Sequence, residues 1–444
     1  MVEIECRDIE ALIEAAKRGE EYRPFQVAKR SIFEHYGILG TTKDRIFTGI
    51  LYRYFRAWGL ANALWERGGL DVGEPHANAM LKLAAFLIHI EKVPRDDSVL
   101  RAMERCLDLL AERWGVSAEK LREAWKRVWG LDPDALGIDP LEMRYLVPRY
   151  LLKVLSNIVP QSELESLLKA LNQPPLLGFR VNTLKSNLRR VCRELKRLGI
   201  EFWVSDRVPN VVRYRGPLRY SDFKPLQRGE VVPQDEPAAL AAILLDPRPG
   251  ELIADLCAAP GGKTTHIAEI TRNRATVIAA DIYMDRLERL KEMAQRTGTY
   301  VSIEILAMDS RLAPSVLGEK RFDRVLLDPP CSSTGVLARY PDARWRLDPD
   351  KILEIVQLQR ELLEAAHRIL KVGGYLLYTT CSLIPAENEG NIRWFLHRHP
   401  CYEIVPLRGP YDPSPLLPGT MRAWPHRHGV SGFFYALLRK VGDC

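Results

Sequence analysis

The chain has 444 residues, 46% of them hydrophobic and 27% charged, with a net charge of +7. This is room for roughly three domains, and the composition is that of a folded soluble protein. The positive balance leans toward a polyanionic partner without requiring one. The opening residues, MVEIECRDIE, lack the apolar core of a signal peptide. The longest apolar stretch, Met80 to Ile90, contains Lys82 and is too short to span a bilayer. A cytoplasmic protein without a membrane-spanning segment is expected, and a monomer. None of the eight cysteines forms a C-x-x-C pair, so neither a zinc site nor a disulfide framework is indicated and no metal is expected.

In chain order, residues 1 to about 140 read as all-helical. Apolar residues recur at helical spacing over Phe25–His35, Ile46–Trp65, Ala77–Glu91, Ser98–Trp114 and Ala118–Trp129. A Gly/Pro/Asp-rich stretch, GLDPDALGIDP, makes the boundary. Residues 141 to 232 form a small α/β connector with helices predicted at Arg144–Ile158, Ser162–Leu171 and Asn187–Leu198. The stretch VVRYRGPLRYSDF is expected to be irregular. Its interleaved cations and rings suit a single-stranded nucleic-acid surface as well as they suit an ordinary subdomain.

Residues 233 to 444 alternate apolar strands with helices at Lys263–Thr271, Asp285–Arg296, Pro349–Leu370 and Ala386–His397, the pattern of a mostly parallel, Rossmann-like α/β sheet. The organising stretch is ELIADLCAAPGGKTTHIAEI, a buried strand, a turn of small residues and a helix. The turn, Cys257, Ala258, Ala259, Pro260, Gly261, Gly262 and Lys263, has little side chain, leaving backbone N–H groups and a helix N-terminus to face a ligand. Later strands end at Asp281, Asp309, Asp328 and Thr380, delivering polar groups to one sheet edge, where such folds bind ligands. Asp281 stands where doubly wound folds place a ribose-binding carboxylate. The turn satisfies neither G-x-x-x-x-G-K-[ST], because Cys257 replaces the first glycine, nor G-x-G-x-x-G.

Cys331 in DPPCSS and Cys381 in TTCS both follow apolar strands at that edge. A lone cysteine there is usually a small core filler. A pair beside a ligand loop points to thiol chemistry, which requires the thiolate and so a nearby cation such as Lys263 or the helix opening after Pro385.

From about residue 145 to 440 the chain resembles the Sun/Fmu-type RNA cytosine-5 methyltransferases. The resemblance rests on FRVNTLK (Phe179–Lys185), QDEPAA (Gln234–Ala239), DLCAAPGGKT (Asp255–Thr264), DPPCSSTG (Asp328–Gly335), TTCSL followed by ENE (Thr379–Leu383) and WPHRHGVSGFFYALLRK (Trp424–Lys440). The stretch from Asp44, DRIFTGILYRYFRAWGLANALW, is similar to the helices of NusB-like domains. Together they look like the bacterial family members that methylate a cytosine of small-subunit ribosomal RNA. The resemblance implies a class I methyltransferase domain of seven strands and S-adenosylmethionine as cofactor. It would be held by Cys257 to Lys263, with Asp281 on the ribose, Asp309 at the adenine, and Arg286 and Asp328 in support. It also implies Cys381 as the nucleophile on C6 of an unpaired cytosine in RNA and Cys331 as its aid in release. Asp328 would face N3 or the exocyclic amine, with Lys263 also at the base. Arg339, Tyr340, Arg344, Trp345 and Arg346, after Cys331, are candidates for RNA contact.

Alternatives stay open at this level. Transfer RNA competes with ribosomal RNA as the substrate. A P-loop-like NTPase would use Lys263, Thr264 and RVLLD, and a silent RNA-binding assembly factor would keep the fold without the chemistry.

Overall fold

The structure, a computed structural model, describes residues 3–22, 24–174, 176–216, 218 and 221–444. They fall into two compact units. One comprises Met1–Lys153 and Tyr340–Leu347, the other Val154–Arg339 and Asp348–Cys444.

The first unit is helical. Helices Phe25–His35 and Ala118–Trp129 stand where the apolar spacing puts them, and Thr42–Arg67 extends the expected one at both ends. Its N-cap Thr41 accepts the Asp44 N–H, satisfying a donor the helix leaves open. The predicted Ser98–Trp114 helix is two helices, Ser98–Arg105 and Leu107–Trp114, broken at Cys106. A further helix, Cys6–Glu21, begins in the segment read only for its lack of a signal-peptide core, and it buries Ile9, Leu12 and Ile13. The core is aromatic-rich, with Phe25 stacked on Phe55 at 4.4 Å between centroids.

Tyr340–Leu347 is part of this unit, and the expected RNA-facing loop is corrected at Arg344, Trp345 and Arg346. The Trp345 indole donates to the Arg56 carbonyl at 2.8 Å. Its ring lies against Gly59, where a Cβ would come within 2.1 Å of it. The Arg346 guanidinium donates to the carbonyls of Gly19 at 2.6 Å and Glu20 at 2.7 Å, pairs with Asp342, and covers the Trp58 ring. Arg344 is fully buried and donates to the Leu146 carbonyl at 2.6 Å. A cation so enclosed has exchanged solvent for carbonyl partners and is not a phosphate contact.

In the second unit a four-stranded antiparallel sheet contains β1 (Leu177–Val181), β2 (Glu201–Val204), β3 (Val211–Arg215) and β4 (Val231–Pro233), in the order β2-β3-β1-β4. The start of VVRYRGPLRYSDF is thus a regular strand: Val212 and Tyr214 face the core while Arg213 and Arg215 alternate away, the period of a half-buried strand. Pro217, Arg219 and Tyr220 of that stretch lie outside the described residues.

The large sheet holds β5 (Leu252–Asp255), β6 (Thr276–Asp281), β7 (Ile303–Ala307), β8 (Phe322–Leu327), β9 (Leu370–Thr380), β10 (Tyr402–Ile404), β11 (Asp412–Pro413), β12 (Met421–Ala423) and β13 (Phe433–Lys440). The order is β11-β12-β13-β9-β8-β5-β6-β7, with β10 also on β13. Pairing is parallel from β7 through β6, β5 and β8 to β9, and antiparallel from β13 outward. This is the expected α/β class with nine described strands instead of seven. The additions are pieces of two or three residues on the antiparallel side, too short to show a period in sequence. Helices Gly262–Ile270, Met284–Thr297, Pro349–Ile369 and Glu389–Arg398 accompany the strands. The order reverses between β5 and β8, so the carboxyl ends of both strands frame one crevice.

Two cysteine pairs are disulfide-bonded, Cys6–Cys106 and Cys401–Cys444, 100 and 43 residues apart. This corrects the reading that no disulfide is indicated. Their proximity is made by helix and strand packing, which spacing along the chain does not register. No described helix is long and apolar enough to cross a membrane.

Candidate active site

At the carboxyl ends of β5, β6, β7, β8 and β9 lies a cavity of about 430 Å3 whose wall includes Cys257, Asp281, Arg286, Asp309, Asp328, Cys331 and Cys381. Chain ends of five strands meet there because parallel pairing puts all their carboxyl termini on one edge.

The turn after β5 is organised mainly by its own backbone. The Ala258 N–H donates to the Ala280 carbonyl at 3.0 Å, the Gly261 N–H to the Ala258 carbonyl at 2.8 Å, and the Ala259 N–H to Asp281 Oδ2 at 3.1 Å. These donors are therefore spent within the protein, and the expectation that the turn offers open N–H groups fails for them. Only Cys257 and Ala259 of the turn reach the cavity wall. Ala258, Pro260, Gly261, Gly262 and Lys263 stand outside it. Gly261, at φ +103°, needs glycine twice over, since a Cβ would also meet Leu290 at 2.8 Å.

Asp281 is 5% exposed, and its two oxygens accept the N–H groups of Ala259 and Tyr283 at 3.1 Å each. Arg286 donates to the Ala259 carbonyl and lies 3.8 Å from Asp281 Oδ2. Asp281 is thus aimed by three partners. Asp309 reaches the wall already gripped by Arg311, whose hydrogen bonds hold the Asp309 carboxyl below its usual range. Arg311, Ile282 and Tyr283 complete this side and were not singled out in the sequence, where an exposed loop residue gives no periodic signal.

On the opposite side Lys263 pairs with Asp328 and lies 5.6 Å from the Phe433 ring centroid. Burial draws the Lys263 ammonium down, but Asp328, Asp255 and Cys381 more than offset it, and the amine is held above its ordinary value as a cation. The Cys331 and Cys381 sulfurs are 3.3 Å apart, and Ser333 Oγ is 3.9 Å from Cys381 Sγ. The hydrogen bond with Cys381, then burial, pushes the Cys331 thiol well up, so Cys331 holds its proton tightly. Burial likewise pushes the Cys257 thiol well up, leaving it an inert wall group. The expected helix after Pro385 begins as a three-residue 3-10 turn, with the α-helix starting at Glu389.

The two cysteine loops are tied together beneath the sulfurs. Glu387, fully buried, accepts from the Ser332 N–H at 2.8 Å, Ser382 Oγ at 2.6 Å and Gln359 Nε2 at 3.0 Å. Thr334 Oγ1 accepts the Leu383 N–H at 2.8 Å. The Gly335 N–H donates to the Cys381 carbonyl at 2.8 Å, and a Cβ at Gly335 would stand 2.1 Å from the Gly432 carbonyl oxygen. Glu387 belongs to ENE, a motif noted in the sequence without a role. The roles of FRVNTLK and QDEPAA are also structural. Arg180, 1% exposed, pairs with Glu269 and donates to Gln234 at 2.8 Å and Thr265 at 3.1 Å, locking β1 to the helix after the turn.

A carboxylate aimed by backbone N–H groups, an arginine beside it, apolar walls from Ile282, Tyr283 and Leu358, and a cavity within the range of small-ligand sites suit a charged nucleoside ligand. The sulfur pair beside an ion-paired carboxylate suits covalent chemistry on a second, planar polar substrate.

Comparisons with known proteins agree with this geometry. The family model described as 16S rRNA methyltransferase RsmB/F matches residues 242–439. The RsmF/B-like ferredoxin-like domain model matches residues 147–220. The chain is 39% identical over 300 residues to a ribosomal RNA small subunit methyltransferase B of Serratia proteamaculans, covering 68% of each chain. Against the Yersinia enterocolitica protein of that name the identity is 39% over 304 residues, covering 67% of each. Among solved structures, PH0851 superimposes with a TM-score of 0.87 at 38% identity, covering 99% of this chain and 100% of that one. NSun6 from Pyrococcus horikoshii with SFG gives a TM-score of 0.61 at 25% identity, covering 67% of this chain and 99% of that one.

Proposed function

Because the chain belongs to the 16S rRNA methyltransferase RsmB/F family and is an RNA methyltransferase, we propose that it methylates C5 of an unpaired cytosine in ribosomal RNA, using S-adenosylmethionine and a transient bond from Cys381 to the base. The observation that carries this reading is the sulfur pair beside Asp328 on the cavity wall. The kinship with ribosomal RNA small subunit methyltransferases B favours ribosomal RNA, and the neighbour solved with SFG favours the cofactor.

S-adenosylmethionine supplies the methyl group when bound. Asp281 would hold its ribose, Arg286 and the Cys257 and Ala259 backbone would flank it, and Asp309 with Arg311 would stand at the adenine side. C5 of cytosine is a poor nucleophile. Attack of the Cys381 sulfur on C6 forms the S–C6 bond and moves the C5=C6 electron pair toward C5, which then accepts the methyl group. Asp328, held by Lys263, hydrogen-bonds N3 or the exocyclic amine and stabilises the charge shift. A base, which water can supply, takes the C5 proton, the C5–H electron pair restores C5=C6, and the S–C6 pair leaves on sulfur as the Cys381 thiolate. Cys331, which keeps a proton at the leaving sulfur, assists this release. The cytosine must leave any stack to reach the sulfurs, at a cost of a few kcal/mol, about what an unpaired target saves.

The test is bisulfite sequencing of small-subunit ribosomal RNA incubated with the protein and S-adenosylmethionine. A new protected cytosine is expected. Methylation of transfer RNA alone would move the substrate, and binding of ATP without S-adenosylmethionine would overturn the assignment.

A further inference from the structure

Away from the cavity, four metal-ligand side chains of the second unit converge. His367 is in the last turn of helix Pro349–Ile369, His399 caps helix Glu389–Arg398, Cys401 precedes β10, and Cys444 is disulfide-bonded to Cys401. One ring nitrogen of each histidine and the Cys444 sulfur lie within 4.8 Å of one another. His399 Nδ1 is 3.9 Å from Cys444 Sγ, and the Cys444 main chain hydrogen-bonds His367. These three donors form the cluster, and the Cys401 sulfur adjoins it through its bond to Cys444. In a tetrahedral site with metal bonds of about 2.0–2.3 Å the donors stand about 3.3–3.8 Å apart, so closure draws the three clustered donors in from at most 4.8 Å and parts the two sulfurs once their bond is reduced.

The outer contacts support coordination. His399 points Nε2 at Glu364, 3.1 Å from both carboxylate oxygens, leaving Nδ1 for the cluster. His367 Nδ1 lies 3.2 Å from the Tyr402 hydroxyl, so ligation through Nε2 would replace the ring's hydrogen bond to the Cys444 main chain. The imidazole rings are stacked at 4.0 Å between centroids, and both residues are 8% exposed. Metal-bound histidines are held in this way, with a carboxylate or other acceptor on the distal nitrogen.

We propose that His367, His399, Cys401 and Cys444 form a closed Cys2His2 zinc site that exists when the Cys401–Cys444 disulfide is reduced. The ligand set is that of tetrahedral structural zinc and lacks the oxygen donors that magnesium or calcium requires. The two states exclude each other. A dithiol reductant supplies two electrons and two protons, splitting the S–S bond into two thiols and becoming a disulfide itself. Zinc then displaces the two thiol protons to water with no redox change at the metal. Bound zinc would staple β10, the end of the chain and two helix C-termini, as the disulfide does when oxidised.

The test uses the full chain, reduced with dithiothreitol, freed of reductant under anaerobic conditions and titrated with cobalt(II). One cobalt per chain is expected, with thiolate-to-cobalt charge-transfer and intense tetrahedral d–d bands that zinc(II) bleaches. The oxidised protein should show neither band. Cys444→Ser and His399→Ala should lose the bands, and Glu364→Gln should weaken metal affinity about 10–100-fold. A Cys331→Ala, Cys381→Ala double variant should keep them. Absence of the bands in the reduced wild-type chain, which needs no variant to fold, overturns the proposal. Their persistence in Cys444→Ser, or their loss in the double variant, overturns it equally.

Discussion

The Cys331 sulfur lies 3.3 Å from the Cys381 sulfur across 50 residues of chain, and that contact together with burial holds the Cys331 thiol well above its usual range. A thiol whose ionisation is raised in this way is the poorer nucleophile, which leaves the attack to Cys381. Cys381→Ala should therefore abolish both methylation and covalent attachment to RNA. Cys331→Ala should transfer the methyl group but release slowly, accumulating a protein–RNA adduct on denaturing electrophoresis. An adduct in Cys381→Ala and none in Cys331→Ala would reverse the assignment.

Asp281→Ala removes a carboxylate that two backbone N–H groups and Arg286 aim at the cavity. A lost hydrogen bond to a charged group costs about 1.5–3 kcal/mol, so calorimetry should show S-adenosylmethionine binding at least roughly tenfold weaker. Unchanged affinity would remove Asp281 from the ribose.

The small sheet presents Trp203, 40% exposed, with the Arg215 guanidinium 5.5 Å over its ring, and the nearby helix Leu188–Arg197 exposes Arg189 and Arg193. If this is the RNA surface, Trp203→Ala should weaken RNA binding by about 1–3 kcal/mol through lost stacking. Arg193→Ala should reduce the log–log salt slope by roughly 0.7. Arg346→Ala should leave that slope alone and lower the melting temperature instead, because its guanidinium is spent on Gly19 and Glu20. A salt slope that responds to Arg346 and ignores Arg193 would place the surface elsewhere.

Asp255, 1% exposed, accepts from Thr264 at 2.7 Å, and burial pushes its carboxyl up to about 7. The folded state then keeps a proton that the unfolded chain, with a carboxyl near pKa ~3.9, has released. Its contribution is fully present below pH ~4 and is lost as pH rises to about 7. Urea unfolding of Asp255→Asn should lose this decline, which amounts to at most about 1.4 kcal/mol per pH unit in the wild type. Parallel stability curves for the two proteins between pH 4 and 7 would refute it.

What the sequence determined by itself is the part governed by local pattern. Five parallel strands, the small-residue turn, and the sulfurs of Cys331 and Cys381 at one edge follow from apolar runs ending in polar residues, because parallel pairing sends every carboxyl end the same way. What the tertiary structure alone decided depends on contacts between distant segments. The N–H groups of the turn are consumed by Ala280 and Asp281, Glu387 binds both cysteine loops, and Trp345 fills a place over Gly59. Arg344 and Arg346 read as solvent-facing cations until their carbonyl partners at Leu146, Gly19 and Glu20 are seen. The cysteine pairs at 100 and 43 residues are invisible for the same reason. Periodicity reports which face of an element is buried, but hydrogen-bond partners and sulfur neighbours are chosen by packing, which brings together residues that share no local pattern.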